Sequence, residues 1–486
     1  MISILYHDNE KSVSEKFFSE LKIEDSAEKI CRNTEKLKIF VNVLSSPLTD
    51  GASIVKRQRI LKDVIEHQEG FSNVVSLLER LSEFYKQYEA NKKKNLIMST
   101  QSTIENDISI NSSFLDLSCF LLKRSLLLLK EISKTIEVAG FSCEGFLALK
   151  KRINEIVSDK NLNEIVDVIS RFDSFSLNQS QACFGCTVGE NGRCENIFFL
   201  EIQNRLFENK LSLISKLKNN KPEYVPDNDV RLDLSRYDRN IFIGTMLKKQ
   251  YQQIEHYNKL IMEEFGVLKN EFAFYDAALR YCLYLKEHKI EYCFPEYSEN
   301  ASITELKDLY LSVMTEDTDN VVGNDFKMKN KDKAFLVLGD NNSGKTVYLR
   351  SIATAILFYQ SGLPICAKEA QMFPFNDLHL HMSSEESENG EGRFEDEVRE
   401  LSETLIELRS GSIVFINEIF QSTSYTEGEK ALYDIINYMS DIGVFSITVT
   451  HLSDISGIEN KAYFLKEHSY KGFLNQIHNQ TTSNRN

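Results

Sequence analysis

Through the first 300 residues, apolar positions recur every three or four residues with charges between them. The pattern is clearest from Ile54 to Lys94 and from Asn240 to Glu287, and it predicts α-helices, some of them long. Proline is scarce, with Pro47 the only one before Pro222. Since a proline inside a helix costs about 3 kcal/mol, that scarcity permits long uninterrupted helices. The most apolar run, "SFLDLSCFLLKRSLLLLKEIS", is broken by Asp116, Lys123 and Arg124. It therefore cannot supply the about 20 apolar residues that a bilayer span needs, and it reads as a buried helix with no membrane role. Alternating positions on both sides of Glu190-Asn191-Gly192 predict a β-hairpin closed by an Asn-Gly turn. The stretch "LKNNKPEYVPDNDVRLDLSRYDRN" is rich in turn formers and reads as an exposed connection.

The helical pattern yields to short strand-like pieces around "FPEYSENASITE", and from Lys333 the texture is α/β. "AFLVLG", "SIVFIN" and "VFSITVTH" are buried strands, separated by the helices "TVYLRSIATAILFYQSG" and "GEKALYDIINYMSDIG". Strands alternating with helices predict a mostly parallel sheet covered on both faces. The expected division is a helical region over residues 1–300 and an α/β region over residues 301–486. A chain of 486 residues also suits about two or three domains.

Charge narrows the function. The net charge of −15 argues against coating nucleic acid by bulk attraction, but leaves room for a local basic track. Acid is concentrated in "SSEESENGEGRFEDEVRE", whereas "YKQYEANKKKN" and "MLKKQYQQIEHYNK" are locally basic. The ordinary reading of each is a solvated helix face. Nine scattered cysteines fit reduced thiols. Cys183, Cys186 and Cys194 lie close together, but a zinc site would need a fourth ligand that no neighbour supplies. The N-terminus lacks the basic start and long apolar core of a secretory signal, so the expected location is cytoplasmic.

The candidate chemistry sits in the α/β region. "GDNNSGKT", Gly339 to Thr346, satisfies G-x-x-x-x-G-K-[ST] between a predicted strand and a predicted helix. In that setting the loop from Asn341 through Asn342, Ser343 and Gly344 offers backbone N–H groups to phosphates. Lys345 reaches the terminal ones and Thr346 can ligate Mg²⁺, so ATP with Mg²⁺ is the expected ligand. A second strand delivers Asn417 and Glu418 to the carboxyl edge of the sheet. Glu418 can orient and deprotonate an attacking water, although an acid at a strand end can also merely face solvent. Further on, "TVTH" places Thr450 and His451 at the end of another strand, from which a histidine could sense a terminal phosphate.

Residues 334–456 resemble the ATPase domain of the MutS mismatch-repair family, which is itself similar to the ABC-type ATPases. The resemblance rests on "GDNNSGKTVYLR", "GLPICA", "NEIFQSTSYTEG" and "THLSDIS". Towards the N-terminus, "SSPLTDGASIVKRQ" resembles the opening of the family's helical core, and "NEFAFYDAALRYCLYLKEHKIEYCFPE" the end of its lever. The resemblance implies an ATP-gated clamp on DNA, paired head to tail as a homodimer through the ATPase domain. The core-like segment begins by residue 45, which leaves no room for the family's mismatch-probing and connector domains. Branched or otherwise non-B-form DNA is therefore the expected substrate. Lys92, Lys93 and Lys94 are candidate DNA contacts. Other departures are Asn417 in place of an Asp that holds Mg²⁺ through its water shell, and Val321 in place of an aromatic residue that stacks on adenine. The family's "STF" signature corresponds to Gly392-Arg393-Phe394, of which only Phe394, with Glu397 beyond it, fits. These departures predict weak ATPase activity. They also keep open a nucleotide-dependent scaffold for protein partners and a vestigial ATP site. A chromosome-maintenance ATPase would need a very long heptad coiled coil, which the sequence lacks.

Overall fold

A computed structural model describes residues 3–5, 13–23, 27–28, 34–100, 112–173, 181–188, 194–203, 236–298, 303–311, 322–338, 343–382, 393–420, 425–450, 462–465 and 477–480. The chain opens with helices α1 (Glu15–Leu21), α2 (Thr34–Leu44), α3 (Gly51–Glu66), α4 (Gln68–Thr100), α5 (Ser112–Ala139), α6 (Glu144–Val157) and α7 (Lys160–Asp173). Strands β1 (Gln181–Val188) and β2 (Cys194–Gln203) follow, then the long helix α8 (Arg236–Glu287). The remainder runs β3 (Glu296–Tyr297), β4 (Ile303–Leu309), β5 (Asn324–Lys329), β6 (Ala334–Leu338), α9 (Lys345–Gln360), β7 (Glu369–Met372) and β8 (Leu378–Met382). It ends with α10 (Arg393–Glu407), β9 (Ile413–Asn417), α11 (Tyr425–Asp441), β10 (Phe445–Val449), β11 (Ala462–Leu465) and β12 (Ile477–Gln480).

The helical periodicity from Ile54 to Lys94 resolves into two helices, because His67 leaves helical geometry at φ −118°, ψ 46°. Asp50 starts the first of them by accepting the Ser53 N–H at 2.8 Å. Gly51 is needed behind it, since a Cβ there would stand 2.2 Å from the Tyr297 ring. The apolar run predicted as a buried helix is α5. No helix among the described residues is long and apolar enough to cross a membrane. Strands β1 and β2 pair antiparallel with Val188 opposite Cys194, as the hairpin reading requires. The Asn-Gly turn between them and most of the exposed connection after them lie outside the described residues.

Contacts divide the chain into two compact units. The first gathers Ser76–Thr135 and Leu149–Gly266. Its helices are tied by a bidentate ion pair from Arg152 to Glu264, at 2.9 and 2.5 Å, and by a partly buried group in which Tyr88 and Ser118 donate to Glu255. The second gathers Ile2–Val75, Ile136–Ala148 and Val267–Asn486. In its helical part Phe272 stacks on Phe71 at 5.5 Å and meets Phe146 edge-on at 5.8 Å. The fully buried Arg57 donates to the carbonyls of Leu5 and Ser361, so every guanidinium nitrogen has a partner.

The second unit also holds two sheets. The larger has the order β12-β11-β6-β10-β9-β8, parallel throughout except for β12. Strands β9 and β10 are buried at every position, as expected for parallel strands covered on both faces. Helix α9 is buried along nearly its whole length, and α11 contributes Leu432, Ile436 and Met439 to the core around β6 and β9. The smaller sheet, in the order β3-β7-β4-β5, is what the short strand-like pieces after residue 296 become. The architecture is thus a helical N-terminal region followed by an α/β region built on a parallel sheet.

Candidate functional site

Strand β6 lies inside the larger sheet, between β10 and β11, and its carboxyl end leads towards α9. The chain is described again from Ser343. Gly344 then takes the left-handed conformation, φ 88° and ψ 15°, which glycine adopts without a Cβ penalty. The helix begins at Lys345 with no side-chain cap. Its first turn therefore stands at the carboxyl edge of a parallel sheet, with the positive end of the helix dipole behind it. Ser343 adds a buried hydroxyl that has no hydrogen-bond partner among the described residues.

Strand β9 brings the second group of residues. Its last residue, Asn417, is buried between Met382 of β8 and Val449 of β10. The Thr346 hydroxyl donates to Asn417 Oδ1 at 3.0 Å, which joins the start of α9 to the end of β9. The next residue, Glu418, turns out of the strand at φ 56° while its N–H donates to Val449 O at 2.9 Å. Its carboxylate is 26% exposed and lies 4.0 Å from Nζ of Lys345, which is itself only 4% exposed. After Glu418 the chain dives back into the core with Ile419 and Phe420, and Phe420, at φ 64°, donates its N–H to Glu397 of α10 at 2.7 Å.

This constellation has defined chemistry. A buried ammonium, a helix N-terminus and an unpartnered hydroxyl converge as donors for an anion. The oxygens of Thr346 and Asn417 are hard, neutral ligands of the kind Mg²⁺ accepts. The carboxylate of Glu418 lies beside this group, 4.0 Å from Nζ of Lys345.

The structure brings together Ser343, Gly344, Lys345, Thr346, Asn417 and Glu418. Val321, Asn341, Asn342 and His451 lie outside the described residues, as do the side chains of Lys94, Arg393 and Phe394. Lys92 is held within the helical unit, 3.2 Å from Glu255, while Lys93 is exposed. Sequence reading did not foresee the left-handed turn at Glu418 and Phe420, nor the bond from Phe420 to Glu397. The only signal for the latter was that Glu397 keeps register with the family's signature.

Residues 335–481 match the family model of MutS domain V, and residues 49–288 match that of the MutS2 N-terminal domain. The chain is 22% identical to MutS protein homolog 4 of Candida albicans, an alignment that covers 90% of this chain and 58% of that protein. It is 21% identical to DNA mismatch repair protein MSH3 of Debaryomyces hansenii, covering 90% of this chain and 47% of the relative. With Endonuclease MutS2 of Thermus thermophilus identity reaches 31% over 137 residues, 28% of this chain and 18% of the relative. The chain thus spans about half the length of the curated relatives that match along most of it. One MutS model covers the long helices and the other the sheet that carries Lys345, Thr346, Asn417 and Glu418, and on these two matches the chain belongs to the MutS family.

Proposed function

We propose that the chain is an ATP-binding clamp on DNA with weak, Mg²⁺-dependent ATPase activity, and that it prefers branched or otherwise non-B-form DNA. One observation carries the nucleotide reading: Lys345 and Thr346 at the start of α9 meet Glu418 and Asn417 at the end of β9, at 4.0 and 3.0 Å. The donors around Ser343 and Lys345 suit the terminal phosphates of ATP. Thr346 would ligate Mg²⁺, with Asn417 behind it acting through the ion's water shell. When bound, Mg²⁺ neutralises charge on the phosphates and lowers the barrier to attack by water. The chain's own part is positional: Glu418 orients that water and accepts its proton, and Lys345 fixes the phosphate end. His451, just beyond Thr450, is proposed as the sensor of the terminal phosphate, and Asn341 and Asn342 as further phosphate-loop donors. Val321 is proposed to lie against the base.

The DNA part of the proposal comes from the relatives, whose names include mismatch-repair proteins and an endonuclease. We assign the helical region, residues 1–300, to DNA contact and residues 301–486 to an ATPase domain that pairs as a homodimer. Asn417 and the net charge of −15 favour a second reading, a nucleotide-dependent scaffold with a vestigial ATP site.

Titration of a fluorescent ATP analogue tests the first step. Lys345→Ala should weaken binding at least ~10-fold, since it removes a buried charge-assisted contact. Equal affinities for the variant and wild type would remove the phosphate-loop assignment.

A further inference from the structure

We propose that Glu397 is a positioning residue for Glu418, and that helix α10 thereby sets the aim of the acid in the ATP site; this rests on the ATPase reading above. Glu397 is 7% exposed, and a carboxylate so buried is costly unless it is hydrogen-bonded. Its Oε2 accepts the N–H of Phe420 at 2.7 Å, a charge-assisted bond. Phe420 follows Glu418 by two residues, and both hold positive φ, 64° and 56°. Residues with a Cβ keep that conformation only where the surroundings over-determine it.

Contacts of three kinds contribute among the described residues. The Glu418 N–H is bound to Val449 O of β10. The side chains of Ile419 and Phe420 are sunk in the core beside Leu401. The Phe420 N–H is bound to Glu397. Leu401 lies four residues after Glu397, so both belong to the face of α10 that closes on the turn. Of these contacts, the carboxylate of Glu397 is the one that can be removed without emptying the core or breaking the sheet. Without it the turn loses its hold two residues from Glu418, and the acid's position relative to Lys345 is no longer fixed. Glu397 itself meets the turn's backbone, so its effect on hydrolysis passes through Glu418. Helix α10 begins at Arg393, four residues before Glu397, so a displacement of its first turn would be carried directly to the acid.

The test uses the full chain as wild type, Glu397→Ala, Glu397→Gln, Glu418→Gln and the Glu397→Ala/Glu418→Gln double variant. Phosphate release, affinity for a fluorescent ATP analogue and amide hydrogen exchange over residues 415–420 are measured. Glu397→Ala should lower kcat ~10–100-fold, the range typical of a residue that orients a functional group. Analogue affinity should change by less than about threefold, since the loss is confined to the reacting geometry. Glu397→Gln, whose amide oxygen still accepts a bond, should recover most of the rate. In the Glu418→Gln background Glu397→Ala should cost nothing further. Exchange at Phe420 should quicken in Glu397→Ala and stay near wild type in Glu397→Gln. Unchanged kcat in Glu397→Ala, or rate and analogue affinity lost together in both Glu397 variants, overturns the proposal. If wild type hydrolyses no ATP, it is the hydrolysis reading that fails. The exchange data then decide whether Glu397 anchors the turn, and unchanged exchange at Phe420 overturns that as well.

Discussion

At Asn417 an amide stands where the family resemblance implies an acid, and the structure shows what the exchange keeps. The Thr346 hydroxyl still finds an oxygen at 3.0 Å, because an amide presents one acceptor with the same reach as a carboxylate. What is lost is one negative charge close to the proposed Mg²⁺ position. Partners that act through a metal's water shell typically contribute ~10–100-fold, so Asn417→Asp should raise the rate of phosphate release by about that factor. Glu418→Gln should abolish it, since the substitution removes the proposed base, 4.0 Å from Lys345. Steady-state phosphate release from the three proteins checks both statements, and equal inactivity of wild type and Glu418→Gln would favour the vestigial-site reading. This much of the site was legible in the sequence, because Gly344, Lys345 and Thr346 are fixed by local spacing and Asn417 and Glu418 by the end of a strand. The turn that aims Glu418 was not. Its positive φ values come from Ile419 and Phe420 being drawn into a core built by α10 and α11, and no local pattern encodes that.

Among the elements, Asp63 shows how far a side chain's role can be from its sequence context. In the periodic pattern of α3 it reads as one more charge between apolar positions, yet it is buried, and its Oδ2 accepts the N–H groups of Ser142 and Cys143 at 2.9 and 2.8 Å. These donors precede α6, so an acid of one helix caps the entry to another some 80 residues away. Asp63→Ala should lower stability by about 1–2 kcal/mol, as loss of a cap with buried donors does, and Asp63→Asn should restore part of it. Thermal unfolding of the three proteins measures this, and an unchanged midpoint in Asp63→Ala would show that the donors find other partners. His381 on β8 makes a pH-dependent contribution. Burial pushes its imidazole from 6.5 down to about 4, against the pull of Glu400 and with the push of His379 and Lys16. The unfolded chain therefore binds the proton first as pH falls, and stability is lost between about pH 6.5 and about pH 4. On going from about pH 7 to about pH 5, the melting temperature should fall more for wild type than for His381→Leu. An equal fall would place the acid sensitivity elsewhere. The alternation of β6, α9, β9, α11 and β10 was legible because buried parallel strands announce themselves as apolar runs. Strand β8, "LHLHM", did not, since its two histidines break the run; His381 is buried in the core while His379 is only half-buried.

For the whole molecule, charge is the term that decides between a DNA clamp and a protein scaffold. A net charge of −15 repels a polyanion, so DNA affinity must come from a few local contacts or from shape. Of the basic cluster at residues 92–94, Lys92 is already paired with Glu255 and lies 5.8 Å from the Tyr88 ring centroid, which leaves Lys93 as the exposed cation whose side chain is described. Each neutralised phosphate contributes about −0.9 to the slope of log affinity against log salt, so a handful of contacts should give a slope shallower than about −5. A bulk electrostatic binder would show a steeper one. Binding should also discriminate four-way junctions from plain duplex of the same length, because few phosphate contacts leave geometry to supply the selectivity. Junction affinity should change on adding ATP in wild type and stay constant in Lys345→Ala, since nucleotide state is what the proposed clamp would read. Titrations of junction, duplex and single-stranded DNA at several salt concentrations, with and without ATP, measure all three quantities. If no DNA structure binds even at low salt in either nucleotide state, the helices carry protein partners and the chain is an ATP-dependent scaffold.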